Sequence, residues 1–335
     1  MPRDHTQLSV ARADEGAQLA PPASVLPDPL ASQPPITIAV TGATGLIGSA
    51  LVERLRAHGH TVRRLVHTPR DAREDDVVWD AERTELPSGA LDGVDAVVNL
   101  AGAPIARRWT AQRKREIRDS RVRGTEQLAR AITALEQKPR VLVSGSAVGY
   151  YGNRGDEVLS ESSSPGHDFL AGVVVDWERA TTPAADAGVR VVLLRTGVVL
   201  SQEGGALAKM LPPFRLGMGG PMGAGQQWMS WIALDDHLQA LEHCLFVEHV
   251  RGPVNLVAPN PVRNAHFATT LGRVLARPAL IPVPAMALDL MFGAMARETI
   301  LASQRALPDA LSASGFDFKH PTVEGALRAT LAPAS

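Results

Sequence analysis

Short apolar runs rich in β-branched residues alternate with longer amphipathic stretches between residues 36 and 200. The runs have the length and composition of parallel strands that are buried on both faces. They lie at residues 36–40, 61–66, 96–100, 140–144 and 191–194. Apolar residues recur at helical spacing after residue 46, within 110–135 and within 169–187. This alternation predicts an α/β fold with a doubly wound parallel sheet.

Beyond about residue 200 the pattern is less regular. A glycine-rich loop at 217–225 precedes an apolar run at 228–234 that predicts a strand, and from about 263 the pattern is mainly helical with proline breaks. We therefore predict a smaller C-terminal substrate-side region, 201–335, built onto the sheet domain of residues 36–200. Residues 1–35 hold seven prolines and few large apolar side chains, so they are predicted to form a disordered tail.

Charge and cysteine content argue against several classes of partner and of site. Thirty-four basic against thirty-five acidic residues give a net charge of −1, so no long-range field favours nucleic acid or an anionic membrane. The single cysteine, Cys244, excludes an intrachain disulfide and argues against a thiolate metal site. The longest apolar stretch outside the predicted sheet domain, 279–295, is interrupted by Pro282, Pro284 and Asp289. With no secretion signal recognised, we expect a cytoplasmic protein.

The strongest chemical signal is the turn TGATGLIG after the first predicted strand. Gly42, Gly45 and Gly48 stand at G-x-x-G-x-x-G spacing, directly after a strand and at the start of a helix. Glycines let the chain turn tightly and bring backbone amides to a pyrophosphate, whose charge a helix N-terminus also favours. We therefore expect a Rossmann-like dinucleotide site in which Thr44, Leu46 and Ile47 also contact the cofactor.

The end of the second predicted strand favours NADP(H) over NAD(H). An acidic residue there would bind the adenosine ribose and exclude a 2′-phosphate, but the sequence from residue 61 is TVRRLVHTPR. It offers Arg63, Arg64, His67 and Arg70 as partners for the phosphate. The alternative is a solvated strand edge, because strand alternation points Arg63 and Arg64 to opposite faces.

Several further segments carry a family resemblance. TGATGLIG, NLAG at 99–102 and SGSAVGYYG at 144–152 together resemble the extended short-chain dehydrogenases/reductases. RRWT at 107–110, SRV at 120–122, DFLAGVVVDWE at 168–178, the segment 211–236 and GFDF at 315–318 resemble its atypical epimerase-like subfamily, which includes cell-division-inhibitor-like proteins. The resemblance implies further cofactor contacts, with His67 in place of a usual arginine; they are Leu100, Ala101, Gly102, Glu116, Arg121 and Val199. For Glu116 and Arg121 a solvated helix face is the alternative.

The usual catalytic pair of that superfamily is absent from the sequence. It is a Tyr-x-x-x-Lys motif, in which the lysine lowers the tyrosine pKa. The only tyrosines here are Tyr150 and Tyr151, and neither is followed four residues later by lysine. The resemblance aligns Phe169 and Val173 with the pair. Neither side chain can transfer a proton, so any catalysis would need other groups as acid and base.

Ser146 and Tyr151 are the catalytic candidates that the sequence offers first. Ser146 lies near the superfamily's serine position, with Ala147 as the alternative match, and Tyr150 or Glu178 are further acid/base candidates. On the substrate side, Asp235 or Asp236 is predicted to cap the helix that follows. Trp228 and Trp231 are predicted to point to opposite faces of one strand. Arg215 and Lys209 are expected to be solvated, with anion binding as the alternative.

Two functions from different classes fit these observations. The first is an NADP(H)-dependent oxidoreductase or nucleotide-sugar-epimerase-like enzyme that acts on a small carbonyl or hydroxyl compound. The second is a non-catalytic NADP(H)-binding sensor or regulatory protein, to which the missing Tyr-x-x-x-Lys pair points. The resemblance also allows a homodimer through helices within 110–135 and 169–187, as is common in the superfamily.

Overall fold

A computed structural model describes residues 33–81 and 83–332 of the chain. The predicted disordered tail lies outside the described residues except for its last three positions. From Pro34 onward the chain forms one compact unit. The division expected near residue 200 therefore stays a prediction.

Seven parallel strands form the central sheet in the order β11-β7-β5-β4-β1-β2-β3. This confirms the predicted α/β, Rossmann-like fold. The last strand of this sheet in chain order, β11, comes from the region predicted to lie on the substrate side, so one sheet uses both parts of the sequence. The strands are β1 Thr37–Thr41, β2 Thr61–Val66, β3 Val77–Val78, β4 Ala96–Asn99, β5 Val141–Ala147, β7 Arg190–Thr196 and β11 Gly252–Leu256.

Ten α-helices and six short strands complete the part of the chain that the structure describes. The helices are α1 Leu46–Ala57, α2 Ala111–Ala134, α3 Phe169–Arg179, α4 Thr182–Asp186, α5 Gly205–Arg215, α6 Leu234–Phe246, α7 Asn264–Val274, α8 Ala285–Phe292, α9 Asp309–Ala313 and α10 Val323–Leu331. The short strands are β6 Val158–Leu159, β8 Val198–Leu200, β9 Trp228–Met229, β10 Trp231–Ala233, β12 Val262–Arg263 and β13 Arg305–Ala306. None of these helices is long and apolar enough to cross a bilayer.

The core lies on both faces of the sheet because alternate side chains of each strand point to opposite sides. Ile38 and Val40 pack on one face with Leu51 and Leu241 from α1 and α6. Ala39 packs on the other face, in the cluster that contains α2 and α4 side chains. Burial on both faces explains why the strands are continuous apolar runs. Their carboxyl ends all meet at one edge, where the candidate site lies.

The segment predicted as one strand at 228–234 is two short strands followed by a helix. Trp231 is fully buried, whereas Trp228 is partly exposed between the guanidinium groups of Arg263 and Arg305. The two tryptophans thus have different surroundings, as expected, although they do not share one continuous strand. Leu234 already begins α6.

The expected cap of α6 by an aspartate is wrong, since Ala233 is the N-cap and both aspartates lie in the first turn. Asp236 accepts hydrogen bonds from the backbone N–H groups of Lys319 and His320 at 2.9 Å each. Its carboxylate is fully buried and holds the C-terminal segment against the helix. Sequence spacing could not show this contact, because the partners lie more than 80 residues further along the chain.

Candidate functional site

The glycine turn is shaped by two close backbone contacts. Gly42 has φ of +66°, and a Cβ at this position would lie 2.6 Å from the carbonyl oxygen of Leu100. A Cβ at Gly48 would lie 2.1 Å from the Gly42 carbonyl oxygen. Both positions therefore require glycine. The structure places these residues, with Gly45 between them, in the tight turn that the sequence predicted.

The N-terminus of α1 is open to a ligand. Its N-cap, Gly45, has no side chain to accept a hydrogen bond, and the first turn contains no acidic residue. Thr44 and Gly45 are exposed, while Leu46 and Ile47 are partly buried. The first backbone N–H groups of a helix have no intrahelical partner and carry partial positive charge. This end of the helix is therefore suited to an anion such as a diphosphate.

A buried polar network fixes the loop after β4 beside the turn. The Thr41 hydroxyl donates to Oδ1 of Asn99 at 2.7 Å and accepts the N–H groups of Leu100 and Ala101 at 3.1 and 3.2 Å. Asn99 Nδ2 in turn donates to the Thr125 hydroxyl at 2.8 Å. Sequence analysis missed this network. Its signal in the sequence was a polar residue at the end of each of two apolar strands, Thr41 and Asn99.

Arg121 lies beside this loop as a partly buried cation. Its guanidinium carbon is 3.0 Å from where a Cβ of Gly102 would lie, and 5.3 Å from the ring centre of Trp177. It donates to the carbonyl of Ile117 at 3.1 Å, and none of the described carboxylates lies within ion-pair distance. Burial, with a smaller effect of nearby Arg113, lowers the Arg121 pKa to about 10. The side chain therefore stays charged at neutral pH without an anionic partner.

The end of β2 opens into a cavity of about 440 Å³. Exposed His67 lines this cavity together with Asp80 and Arg83. The Asp80 carboxylate lies 3.7 Å from both His67 Nδ1 and Arg83 Nε. The sequence showed no acidic residue at the end of the second strand. The fold brings one there from beyond β3.

The two arginines of β2 do not line that cavity. Arg63 donates to the carbonyls of Ala90 and Asp92 at 3.1 and 2.8 Å, and Arg64 forms a buried ion pair with Asp76 at 2.8 Å. Strand alternation points the two side chains to opposite faces and explains their separation. The solvated strand edge that was the alternative does not describe Arg64, which is buried. Of the basic residues on or after this strand that the sequence offered, only His67 lines the cavity.

Ser146 and Tyr151 belong to an internal network rather than to an open surface. The Ser146 hydroxyl donates to Oε1 of Glu178 at 2.6 Å, and Tyr151, which has no exposed surface, donates to Oδ1 of Asn255 at 2.7 Å. Arg195 donates to both Glu178 and the Tyr151 hydroxyl. Burial is the largest influence on the Tyr151 pKa and raises it. These contacts argue against the acid/base role that the sequence suggested for Tyr151.

Comparison with known proteins identifies the family of this chain. Residues 38–255, which contain the glycine turn and most of the sheet, match the NAD dependent epimerase/dehydratase family. The chain belongs to this family. Residues 283–330 match a domain of unknown function, DUF1731. The resemblance to extended short-chain dehydrogenases/reductases is thereby confirmed.

Relatives of this epimerase-family chain align along nearly its whole described length. An epimerase family protein of Mycobacterium bovis is 47% identical over 291 residues, 87% of this chain and 96% of its own. The crystal structure of human epimerase family protein SDR39U1 with NADPH is 37% identical, with a TM-score of 0.81, covering 88% of this chain and 99% of that one. A nucleoside-diphosphate sugar epimerase from Corynebacterium glutamicum is 40% identical, with a TM-score of 0.72, covering 89% of this chain and 58% of that one.

Phe169 is the residue that the family resemblance aligns with the superfamily's tyrosine. Its ring packs edge-on against Trp109, with ring centres 5.4 Å apart. The Lys114 ammonium lies 4.4 Å from the Phe169 ring centre, and among the described residues no carboxylate lies within 4 Å of it. Sequence analysis missed Lys114. A lysine among several arginines of one helix gives no separate signal.

Two further expected cofactor contacts, Glu116 and Val199, lie in different surroundings. Glu116 accepts hydrogen bonds from Arg113 at 2.7 Å and from Gln112 at 3.1 Å, and the bond from Arg113 is the main reason that its pKa is lowered. Val199 lies on β8, and its carbonyl oxygen is 3.6 Å from where a Cβ of Gly205 would lie. That glycine also approaches Leu46, so Val199 is near the start of α1.

Proposed function

We propose that this epimerase-family protein is an NADP(H)-dependent oxidoreductase or epimerase-like enzyme that acts on a small carbonyl or hydroxyl compound. The observation that carries the proposal is the turn at Gly42 and Gly48, where a Cβ would clash with the backbone of Leu100 and of Gly42, so only glycine allows the tight turn that presents backbone amides to a diphosphate. The human relative with 37% identity was crystallised with NADPH. Such a cofactor supplies hydride chemistry when bound.

The residues around the turn fit that cofactor by charge and shape. Gly42, Gly45 and Gly48 with Thr44, Leu46 and Ile47 would hold the diphosphate at the N-terminus of α1. Leu100, Ala101 and Gly102 would border the same path, and Val199 would lie toward the nicotinamide. Arg121 would supply a positive charge to the phosphates. Its guanidinium is partly buried and has no carboxylate partner among the described residues, so it is suited to a phosphate oxygen. Glu116 would act on the cofactor only indirectly, through the Arg113 guanidinium that it holds.

His67 and Arg83 would favour the 2′-phosphate of NADP(H) at the end of β2. Both line the same cavity, and both are exposed. Asp80 lies between them and would oppose the phosphate unless the two cations outweigh it. Because the fold brings this acid to the site, the preference for NADP(H) needs a direct test.

Lys114 is the group we assign to proton transfer. Its ammonium lies on the face of the ring that replaces the usual tyrosine, so Lys114 Nζ would give a proton to a substrate oxygen as that oxygen gains charge and would recover it from solvent. Ser146 and Tyr151 would position the neighbouring backbone through Glu178 and Arg195. Tyr151 has no exposed surface, so we do not assign it a contact with the substrate.

A non-catalytic sensor is the second candidate, and one observation favours it. Phe169 and Val173, which the resemblance aligns with the usual catalytic pair, belong to one apolar cluster with Trp109 and Ile117. Such a cluster stabilises the helices around the site without requiring any reaction. If the cofactor binds and no carbonyl compound is turned over, this candidate is favoured.

Calorimetric titration of the full chain with NADPH and with NADH tests the first part of the proposal. We expect association with NADPH at least tenfold tighter than with NADH, since pairing a phosphate with two cations contributes more than about 1.4 kcal/mol. Equal or tighter binding of NADH would remove the 2′-phosphate assignment. The absence of binding to both would remove the proposal. Loss of NADPH absorbance with a panel of aldehydes, ketones and nucleotide sugars then separates the enzyme from the sensor.

A further inference from the structure

One surface of the protein exposes an unusual number of large apolar side chains. The structure describes nine such side chains with substantial exposure, and seven of them lie in the two segments 216–218 and 280–291. Leu280, Met286 and Leu290 are 81%, 84% and 76% exposed. Isolated exposed apolar residues are ordinary on a protein surface, whereas a contiguous group marks an interaction site.

The two segments form one continuous patch. Ile281 donates its backbone N–H to the carbonyl of Gly219 at 3.1 Å, and a Cβ at Gly217 would contact the ring of Pro278 at 3.4 Å. Within the second segment, α8 has the sequence AMALDLMF, in which only Leu288 is buried. An apolar helix is normally buried. We call this surface, formed by residues 216–218 and 280–291, the α8 patch.

The α8 patch is bordered by arginines. Arg108 donates to the carbonyl of Leu290, and Arg277 donates to the carbonyl of Arg215 at 3.1 Å beside Leu216. All three arginines are exposed, and among the described residues none has a carboxylate within 4 Å. The one acidic residue of α8, Asp289, is paired with Arg297. The border therefore carries unpaired positive charge around an apolar centre.

We propose that the α8 patch docks the protein on an anionic lipid bilayer surface. An apolar centre that enters the acyl boundary, with cations at the level of the head groups, is the arrangement of interfacial helices. The eight residues of α8 extend about 12 Å, so the helix would lie in the surface rather than span a core of about 30 Å. The whole-chain charge of −1 did not predict this because the patch is local.

The arginine border argues against a second copy of the chain as the occupant. In a two-fold contact each patch faces the same patch on its partner. Such a contact would bring two borders of the same sign together, each with Arg108, Arg215 and Arg277 and without a carboxylate paired to them among the described residues, and like charges repel. The inference also gives a role to the DUF1731 region, which includes α8. It does not depend on the proposed enzyme activity.

Co-sedimentation of the full chain with lipid vesicles tests the proposal. We expect binding to phosphatidylcholine vesicles that contain a third of phosphatidylglycerol, weaker binding to phosphatidylcholine alone, and a decrease with added salt. The double variant Met286→Asp with Leu290→Asp should bind at least about tenfold more weakly. Val158→Asp, an apolar-to-acid change at a 49% exposed position on β6, is the matched control and should bind normally.

The remaining outcomes overturn the proposal. The five substituted side chains, Met286, Leu290, Val158, Arg108 and Arg277, are all exposed, so thermal unfolding should be nearly unchanged in each variant and a loss of binding cannot be ascribed to misfolding. Absence of binding to anionic vesicles, or equal binding by the double variant, contradicts a lipid surface. Light scattering that finds a dimer, converted to monomer by Met286→Asp, would assign the patch to a second copy. Unchanged binding by Arg108→Gln with Arg277→Gln would remove the role of the border.

Discussion

Arg195 holds both carboxylate oxygens of Glu178, with Nε 2.8 Å from Oε1 and Nη2 2.9 Å from Oε2. The pair joins β7 to α3, and both side chains are almost entirely buried. Burial is the largest single influence and lowers the Arg195 pKa, but the hydrogen bonds that Arg195 donates to Glu178, the negative charge of Glu178 and the contact with Tyr151 together outweigh it, and the net pKa is raised. Ser146 donates to the same carboxylate. The pair is therefore the centre of a network that fixes the end of β5.

Removing the negative charge of Glu178 should strongly destabilise the protein. Glu178→Gln leaves the buried Arg195 without a counter-charge, and we expect a loss of roughly 3 to 5 kcal/mol in the free energy of unfolding. Urea unfolding measures it. Asp176→Asn on the same helix breaks the exposed pair with Arg118 and should cost less than about 1 kcal/mol. Similar losses in the two variants would show that the buried pair contributes no more to the free energy of unfolding than the exposed pair does.

Replacing Gly48 by alanine should weaken NADPH binding by at least tenfold, if the turn holds the diphosphate. The added Cβ would lie 2.1 Å from the Gly42 carbonyl oxygen, so the turn must open and its amides move away from their ligand. Calorimetry with NADPH is the measurement. Gly172→Ala is the control, because a Cβ there meets nothing within 4 Å on α3. Equal affinities for the two variants and the parent chain would remove the turn from the site.

Arg121→Met should weaken NADPH binding by roughly ten- to a hundredfold, the effect of one charge-assisted hydrogen bond. The variant removes a cation that has no carboxylate partner among the described residues, so the free energy of unfolding without cofactor should fall little. Arg118→Met, three residues earlier on the same helix and 46% exposed, should bind NADPH normally. A loss of affinity in Arg118→Met equal to that in Arg121→Met would indicate a general charge effect.

Lys114→Met should reduce turnover about a hundredfold or more while NADPH affinity is unchanged, since general acid catalysis contributes that much. The measurement, which rests on the proposed function, is the rate of NADPH oxidation with a carbonyl compound that the parent chain is found to reduce. Lys138→Met, at an exposed lysine that donates to the Leu135 carbonyl, is the control. Normal turnover in Lys114→Met would assign the proton to another group.

His237 should make stability depend on pH. It is fully buried, and burial lowers its pKa from 6.5 to about 4. The unfolded chain therefore binds a proton between these values while the folded chain does not, so stability is complete above about 6.5 and falls as the pH drops toward 4. This difference in pKa between the unfolded and folded states corresponds to about 3 kcal/mol in the free energy of unfolding.

Urea unfolding across that range, for the parent chain and for His237→Gln, isolates this contribution. The parent should lose about 3 kcal/mol more than the variant between neutral pH and the lower limit. An identical pH dependence in the parent and in His237→Gln would contradict the buried, neutral state of His237.

The glycine turn and the sheet could be predicted because their causes are local. Strands buried on both faces must be apolar runs, and only glycine accommodates the φ of Gly42 and the close contact at Gly48. Those requirements appear directly in the letters TGATGLIG and in the runs before and after them. The α/β class and the position of the turn at the start of α1 were therefore determined by the sequence itself.

The partners of the polar residues were decided only by the tertiary structure. Asn255, which accepts the Tyr151 hydroxyl, lies 104 residues away, and Glu178 lies 32 residues from Ser146. Asp80 reaches His67 across β3, and Lys114 meets Phe169 where two helices pack. The residue type determines whether a side chain can donate or accept a hydrogen bond. The packing of distant segments determines which partner it meets and how far the pair is shielded from water. Chemistry at this site therefore depends on contacts that sequence spacing does not contain.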